Sequence, residues 1–484
     1  MSIQKYIPAV FVLMLICTAS CKKWLTVKPN TKATREELLT SEKGFQDALT
    51  GVYINMKDPN AYGNHLIFGN IESLTSSWDV QDNSVEFRLG RFMYEDEGVK
   101  SALTNIYKQQ YKTISRINSI LDKIDEQRDA FVTSGAFEMI KGECLALRAY
   151  CHLDLLRLFG PVPGNVSGGT VLPYVKTLSS LPNKHLSYEA FKTELLHDLS
   201  EAAALQKDAD PFTKYSRANL ADPNNGGDYK TDNTYFAFRY MRMNYYAVKA
   251  LQARAYCWFQ DYAAAFASAK EVIDAKNPDG SAKFRLGEMS DLSGKNFNLT
   301  PEQIFGLYDF NLRKKYDDNF KSGKLKKGTD ANIVKYQLFG NTGKDIRESS
   351  IWQEIATPDS KTAFTLRKYE AAANYLVADP YLIPMLRLSE MYLIAAEAAP
   401  EADRQPYWDE FMRARNMEGD IPFPSDQLSQ KLALMKEYRK EFFGEGQSFF
   451  TYKRMNADPG SFLWLPLAVN INYVPPVPAA ESAH

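Results

Sequence analysis

The chain has 484 residues and balances 58 Lys and Arg against 59 Asp and Glu, so it lacks the basic excess expected of a nucleic-acid binder. Its hydrophobic content of 45% is ordinary for a globular protein and ample for a large core. After Ile16 no apolar run is long enough to span a bilayer, which takes about 20 residues.

At the start of the chain, Lys5 precedes an apolar run, Ile7 to Ile16, followed by Thr18-Ala19-Ser20-Cys21. A basic start, a run of about ten apolar residues and small residues before a cut form a secretory signal. A Cys at the cut makes it resemble a lipoprotein signal, against the alternatives of a transmembrane anchor, for which the run is too short, and a plain secretory peptide with an incidental Cys. Residues 1–20 are then expected to be removed, and Cys21 to become the acylated N-terminus that tethers the protein to a membrane. Lys22 to Asn30 reads as an extended leader.

Thr34 and Ser41 precede the first predicted helices, the second carrying Phe45, Ala48, Leu49, Val52 and Tyr53 at helical spacing. A long polar and aromatic loop follows, Asp58 to Glu97. A helix is predicted from Val99 to Glu126. In the next, Phe137, Ile140, Cys144, Leu147, Cys151, Leu155 and Leu158 form one apolar stripe that stops at Gly160-Pro161. Ser187 is placed to cap a helix through Leu205. Asp208 to Thr234 is turn-rich, polar and expected to be exposed. Helices predicted at Tyr240–Phe259 and Tyr262–Asp274 meet at Gln260-Asp261, which forces an antiparallel hairpin. Ala253, Tyr256 and Ala265 there have the relative spacing of a tetratricopeptide repeat. From Asn277 to Asp379 helical periodicity fades, leaving a strand-like run at Ile304 to Tyr308. So long an irregular stretch is often functional. Helices return at Ile383–Ala398, Gln405–Arg415 and Gln427–Arg454, the last interrupted near Gly444, before a proline-rich tail.

Enzyme signatures are scarce. None of His65, His152, His185, His197 and His484 forms an HExxH pair, and there is no nucleophile elbow, dinucleotide fingerprint or Walker A loop. Asp79 and Asp82 could form a glycosidase carboxylate pair, though two acids in a polar loop are more often turn-forming. Cys144, Cys151 and Cys257 read as small buried apolar residues. Aromatic residues make up 13% of the chain, a surplus that suits ligands with flat, weakly polar faces such as sugar rings.

Six blocks, in order, resemble the SusD/RagB family of outer-membrane lipoproteins of Bacteroidetes, which capture nutrients for a TonB-dependent transporter. They are Cys21–Pro29, Gly142–Pro163 ("GECLALRAYCHLDLLRLFGPVP"), Ser187–Leu205, Tyr245–Ile273, Leu386–Ala398 and Glu437–Phe450. The chain departs from the family pattern at Ser448 and Thr451, where an Arg and an Asp are usual. Lys22 and Lys23 replace the acidic residues that often follow the lipidated Cys.

The resemblance implies a mainly α fold, a tetratricopeptide-like helical-pair scaffold with long irregular loops and minor β-hairpins. It implies one unit over 21–484: an N-terminal region to 235, a helix pair at 236–276, and a ligand-loop and C-terminal region over 277–484. The implied function is non-catalytic capture of an oligosaccharide or peptide, without cofactor or metal. A SusC-like TonB-dependent β-barrel is the partner, and the protein is a lipid-anchored, hinged lid on the outer face of the outer membrane. Glu143, Arg148 and Arg157, with Glu390, Glu397, Glu437, Arg439, Glu441 and Glu445, are expected to form ion pairs between packed helices. Ligand contacts are expected in the irregular regions: Trp78, either a stacking platform or packed under its loop, with Asp79 and Asn83, and Tyr308 and Tyr316 with Asn311. The competing readings are a surface glycoside hydrolase using Asp79 or Asp82, and a helical-repeat scaffold that binds only proteins.

Overall fold

Local side chains fix where the helices begin. Ser41 accepts from the Gly44 N–H at the start of α1 (Glu42–Met56), and Asp96 accepts from Gly98 and Val99 at the start of α2 (Glu97–Ile124). These acceptors satisfy donors that have no partner in a first turn. The striped helix, α3 (Ala136–Phe159), ends at Gly160, and Ser187 caps α4 (Tyr188–Ala209). The structure, a computed structural model, describes residues 35–179, 181–328, 333–356, 362–370, 381–466 and 468–482. The signal segment, Cys21 and the leader lie outside them.

Two elements differ from the sequence reading. α5 (Tyr245–Trp258) begins five residues later than Tyr240 because Asn244 caps it. The Asn244 amide accepts from Ala247 and donates to the carbonyls of Arg239, Arg242 and Ile304, which halts the helix there. Ile383 to Arg387 are not helical. They belong to β4 (Leu382–Arg387), antiparallel to β1 (Gln303–Tyr308), and α7 (Leu388–Ala398) starts only after it. Backbone pairing with a strand some 80 positions earlier overrides the local preference. A second antiparallel pair joins β2 (Trp352–Ala356) to β3 (Thr362–Leu366).

α6 (Tyr262–Ile273) packs on α5, and each helix from α1 to α8 (Arg404–Ala414) packs against the next. The result is a mainly α, tetratricopeptide-like ladder of helix pairs with small strands at its side. The C-terminal α9 (Gln427–Glu441) and α10 (Ser448–Arg454) are separated by a turn in which Gly444 and Gly446 have φ of +73° and +72°. A Cβ at Gly446 would also sit 2.1 Å from the Leu66 carbonyl oxygen, so glycine is required on two counts.

The apolar stripe understates how far α3 is buried, since almost every side is covered, including Glu143, Arg148, His152, Asp154 and Arg157. Arg148 makes a two-pronged contact with Asp198 on α4, with both nitrogen–oxygen distances 2.7 Å. Glu143 binds Arg239, Arg242 and the Tyr53 hydroxyl. Arg254 on α5 pairs with Glu390 on α7, and Arg454 with Glu397. Two of the expected inter-helix pairs take another form. Arg157 pairs with Asp154 one turn back on its own helix and reaches α9–α10 through Gln447 and the Phe450 ring, whose centre lies 4.0 Å from its guanidinium, rather than through a carboxylate. Arg439 donates to the Tyr452 hydroxyl and the Ser461 carbonyl rather than to a carboxylate, because its helix face meets an aromatic cluster there.

The strand-bearing half is held differently. Glu302, Asp345, Glu437, Glu441 and Glu445 face Arg347, Lys368, Arg387, Arg415 and Lys440 in one buried network. Burial pushes the Glu437 carboxyl up, but Lys440 and Arg347 more than offset this and hold it at about 2. Burial pushes the Lys368 ammonium down, against the opposing pull of Glu445.

Candidate functional site

The two long irregular regions meet at Asp79. Its backbone N–H donates to the Lys326 carbonyl, its Oδ2 accepts from the Gly328 N–H at 2.5 Å, and its Oδ1 lies 3.1 Å from Lys327 Nζ. Lys327 also donates to the Ser76 carbonyl, and its backbone pairs with Phe364 of β3. Burial lowers its pKa, and Asp79 opposes that shift. Ser76, at φ +51°, turns the chain so that its carbonyl meets this ammonium.

A cleft of about 220 Å³ opens over the junction. One wall carries Asp79, Asp82, Glu86, Phe87 and Arg91, the other Lys327 and Trp464. The Arg91 guanidinium lies 3.3 Å from the centre of the Phe87 ring, and Lys327 Nζ lies 4.2 Å from that of Trp464. Trp464 is half-buried and is fixed by its Nε1–H, which donates to Gln337 at 2.8 Å. Two aromatic faces, three carboxylates and two cations thus surround one small concavity, a set suited to a ligand with alternating apolar and hydroxyl surfaces. Both oxygens of Asp79 are committed to joining the two segments.

Trp78 stands elsewhere than expected. It is 3% exposed, its Nε1–H donates to the Phe68 carbonyl at 2.8 Å, and its ring meets Phe320 and Phe443 edge to face. It is therefore the core anchor of the loop and not an exposed stacking platform. Its ring lies against the Gly444 turn, where a Cβ would meet Leu366 at 2.7 Å. Tyr316 is likewise buried, stacked on Phe320 with its hydroxyl accepting from Gln353, so it belongs to the same core. Asn83 is exposed at φ +61°, in the turn before the short helix Val85–Leu89.

Tyr308 is 42% exposed at the end of β1, and Asn311 is exposed beyond it, its N–H donating to Asp309. Tyr308 borders a separate, mostly apolar groove of about 440 Å³, with Tyr53, Ile54, Phe238 and Met241. The sequence candidates therefore do not converge: Asp79 lines the cleft, Tyr308 lines the groove, and Trp78 and Tyr316 support the floor. Sequence reading missed Phe87, Arg91, Lys327 and Trp464. The only local signal was Trp464, one of six Trp residues, beside Leu465-Pro466. Among the described residues no group of three His, Cys, Asp or Glu side chains could hold a metal, and no helix is long and apolar enough to cross a membrane.

Two family models match the chain. One, described as "Starch-binding associating with outer membrane", covers residues 23–210, and one described as "SusD family" covers residues 334–463. A SusD-like protein of Formosa agariphila is 26% identical over 169 residues, 34% of this chain and 31% of that protein, so the match spans about a third of the relative. Solved structures share the fold at low identity. A SusD homologue from Bacteroides thetaiotaomicron has a TM-score of 0.67 at 16% identity, covering 94% of this chain and 97% of that one. A SusD superfamily protein from the same species has 0.65 at 18%, covering 92% and 93%. A SusD-like carbohydrate binding protein from Bacteroides vulgatus has 0.61 at 17%, covering 86% and 84%.

Proposed function

The chain belongs to the SusD/RagB family, and from that premise we propose that it is a non-catalytic binding protein of the outer membrane that captures an oligosaccharide. The cleft between Asp79 and Trp464 is the observation that carries this reading. Trp464 and Phe87 supply faces for the axial C–H groups of a sugar ring, and Asp82, Glu86 and Arg91 supply partners that orient its hydroxyls. The family description as starch-binding, and a structural relative described as carbohydrate binding, favour a sugar over a peptide.

In this reading residues 21–484 act as one unit. Acylated Cys21 holds it at the outer face as a hinged lid, which passes ligand to a SusC-like TonB-dependent β-barrel. The energy for uptake comes from the barrel. Calorimetry against a glycan panel tests the cleft: Trp464→Ala is expected to weaken the best glycan about tenfold, or ~1.4 kcal/mol. Unchanged affinity would remove the cleft from the reading. For the tether, Cys21→Ala is expected to move the protein into the supernatant of a carbonate wash, and retention in the membrane pellet would count against acylation.

A further inference from the structure

A second concavity, of about 380 Å³, lies where the ends of α6 to α10 meet, and it shares no residue with the glycan cleft. Its volume falls within the range of small-ligand pockets, about 300–1,000 Å³. Three cations line it, Arg404, Lys431 and Arg454, against one carboxylate, Glu397. That carboxylate is already taken, because its two oxygens accept from Arg454 at 2.5 and 2.7 Å. Two positive charges are left over.

Neither has an anionic partner among the described residues. Arg404, the first residue of α8, is half-buried and held by neutral acceptors: its Nε–H donates to the Ala399 carbonyl and its Nη1 to Gln430 Oε1, each at 2.9 Å. The Gln430 contact brings α9 to Arg404, and Lys431 follows directly in sequence. Lys431 is half-buried too, and no described carboxylate or carbonyl accepts from it. Asp426, just before α9, is spent as its cap and accepts from the Ser429 N–H. A partly desolvated cation without a counter-charge is costly, and an anion in the concavity recovers that cost through charge-assisted hydrogen bonds.

The rest of the lining suits a sugar better than a bare anion. Tyr262 is 40% exposed and offers a ring face. The exposed carboxamides of Gln260, Gln427 and Asn456 supply both donors and acceptors for hydroxyl groups. Gln260 and Asn456 stand at φ of +61° and +45°, a backbone region that few non-glycine residues occupy and that is kept where the surroundings fix a residue in place.

We propose that this concavity is a second saccharide site, selective for an anionic sugar unit. The carboxylate or sulfate of that unit meets Arg404 and Lys431, and its ring stacks on Tyr262. The site goes beyond the Trp464 cleft and stands whether or not that cleft binds glycan.

Calorimetry on the full chain in detergent tests this with three probes: oligogalacturonate, an alginate oligomer and a sulfated galactan oligomer. At least one is expected to bind, and to bind more weakly as ionic strength rises. Which of them binds separates carboxylate from sulfate. Lys431→Glu is expected to weaken the binding by about tenfold or more. Lys431→Gln, which removes only the charge, is expected to weaken it a few-fold and keeps the test should the first variant fail to fold. Failure of all three probes to bind, or binding unchanged in both variants, overturns the proposal. Binding lost in Trp464→Ala places the anionic sugar in the first cleft and also overturns it. Hexaglutamate bound more tightly than any of the three, and lost in Lys431→Glu, overturns it in favour of an acidic protein segment.

Discussion

The helical ladder and the strand-bearing half both bury charge, but they use it differently. In the ladder the buried pairs that cross between helices are separate contacts, as Arg148 on α3 joins Asp198 on α4 and Arg254 on α5 joins Glu390 on α7. In the other half Glu441 alone faces Arg347, Arg387 and Arg415, which come from three separate segments. Helices satisfy their own backbone and need only be held at a chosen angle. Irregular segments lack that internal order, so side chains must fix their mutual positions. The difference teaches that the irregular segments of the strand-bearing half are positioned by charges far from one another in sequence.

The largest effect is expected from Glu441→Ala, which removes the one carboxylate shared by three buried guanidinium groups, leaving Arg415 with Glu302 alone, and should cost about 5 kcal/mol, read as a fall in the urea midpoint. Asp198→Ala strands one, with Asn118 still accepting from Arg148, and should cost about 3 kcal/mol. If Asp198→Ala costs as much as Glu441→Ala, the contrast between the two halves fails.

A smaller, pH-dependent effect sharpens it at the boundary. Glu72 accepts from the Gly446 N–H and is raised by burial from the ordinary 4.5 to about 7, with Ser77, Gly446, Gly444 and Lys368 pulling the other way. A raised carboxyl contributes stability that is fully present below pH 4.5, declines as pH climbs toward 7 and is lost above it. Glu72→Gln is expected to flatten the urea midpoint between pH 4.5 and 7, and a slope equal to that of the unaltered chain would refute this. The smallest effect is expected from the exposed Lys43–Asp47 pair on α1, where Lys43→Ala should shift stability by no more than about 0.5 kcal/mol. A larger loss would show that surface charge also holds the ladder.

The scaffold was legible because its signals are local. Ser41 and Ser187 cap the helices that follow them, and Gly160-Pro161 stops α3, each within one turn of the residue concerned. The cleft was not. Asp79 and Lys327 are 248 positions apart, and no periodicity links them. Trp78 stands among polar neighbours, which fit a ligand platform and a residue packed under its loop equally well, and Phe320, Phe443 and the Gly444 turn, which decide between them, come from distant parts of the chain. Arg439 shares a helix with Glu437 and Glu441 yet faces an aromatic cluster, a matter of rotation about the axis that residue type does not reveal.

The three thiols of Cys144, Cys151 and Cys257 are buried and unpaired, and burial pushes all of them up. None can react while the ladder is closed, since the thiolate is the reactive form and a reagent must also reach it. They are consequently built-in clocks. Under a large excess of alkylating reagent, the rate at which each thiol is modified reports how often its part of the ladder opens, without a single introduced label.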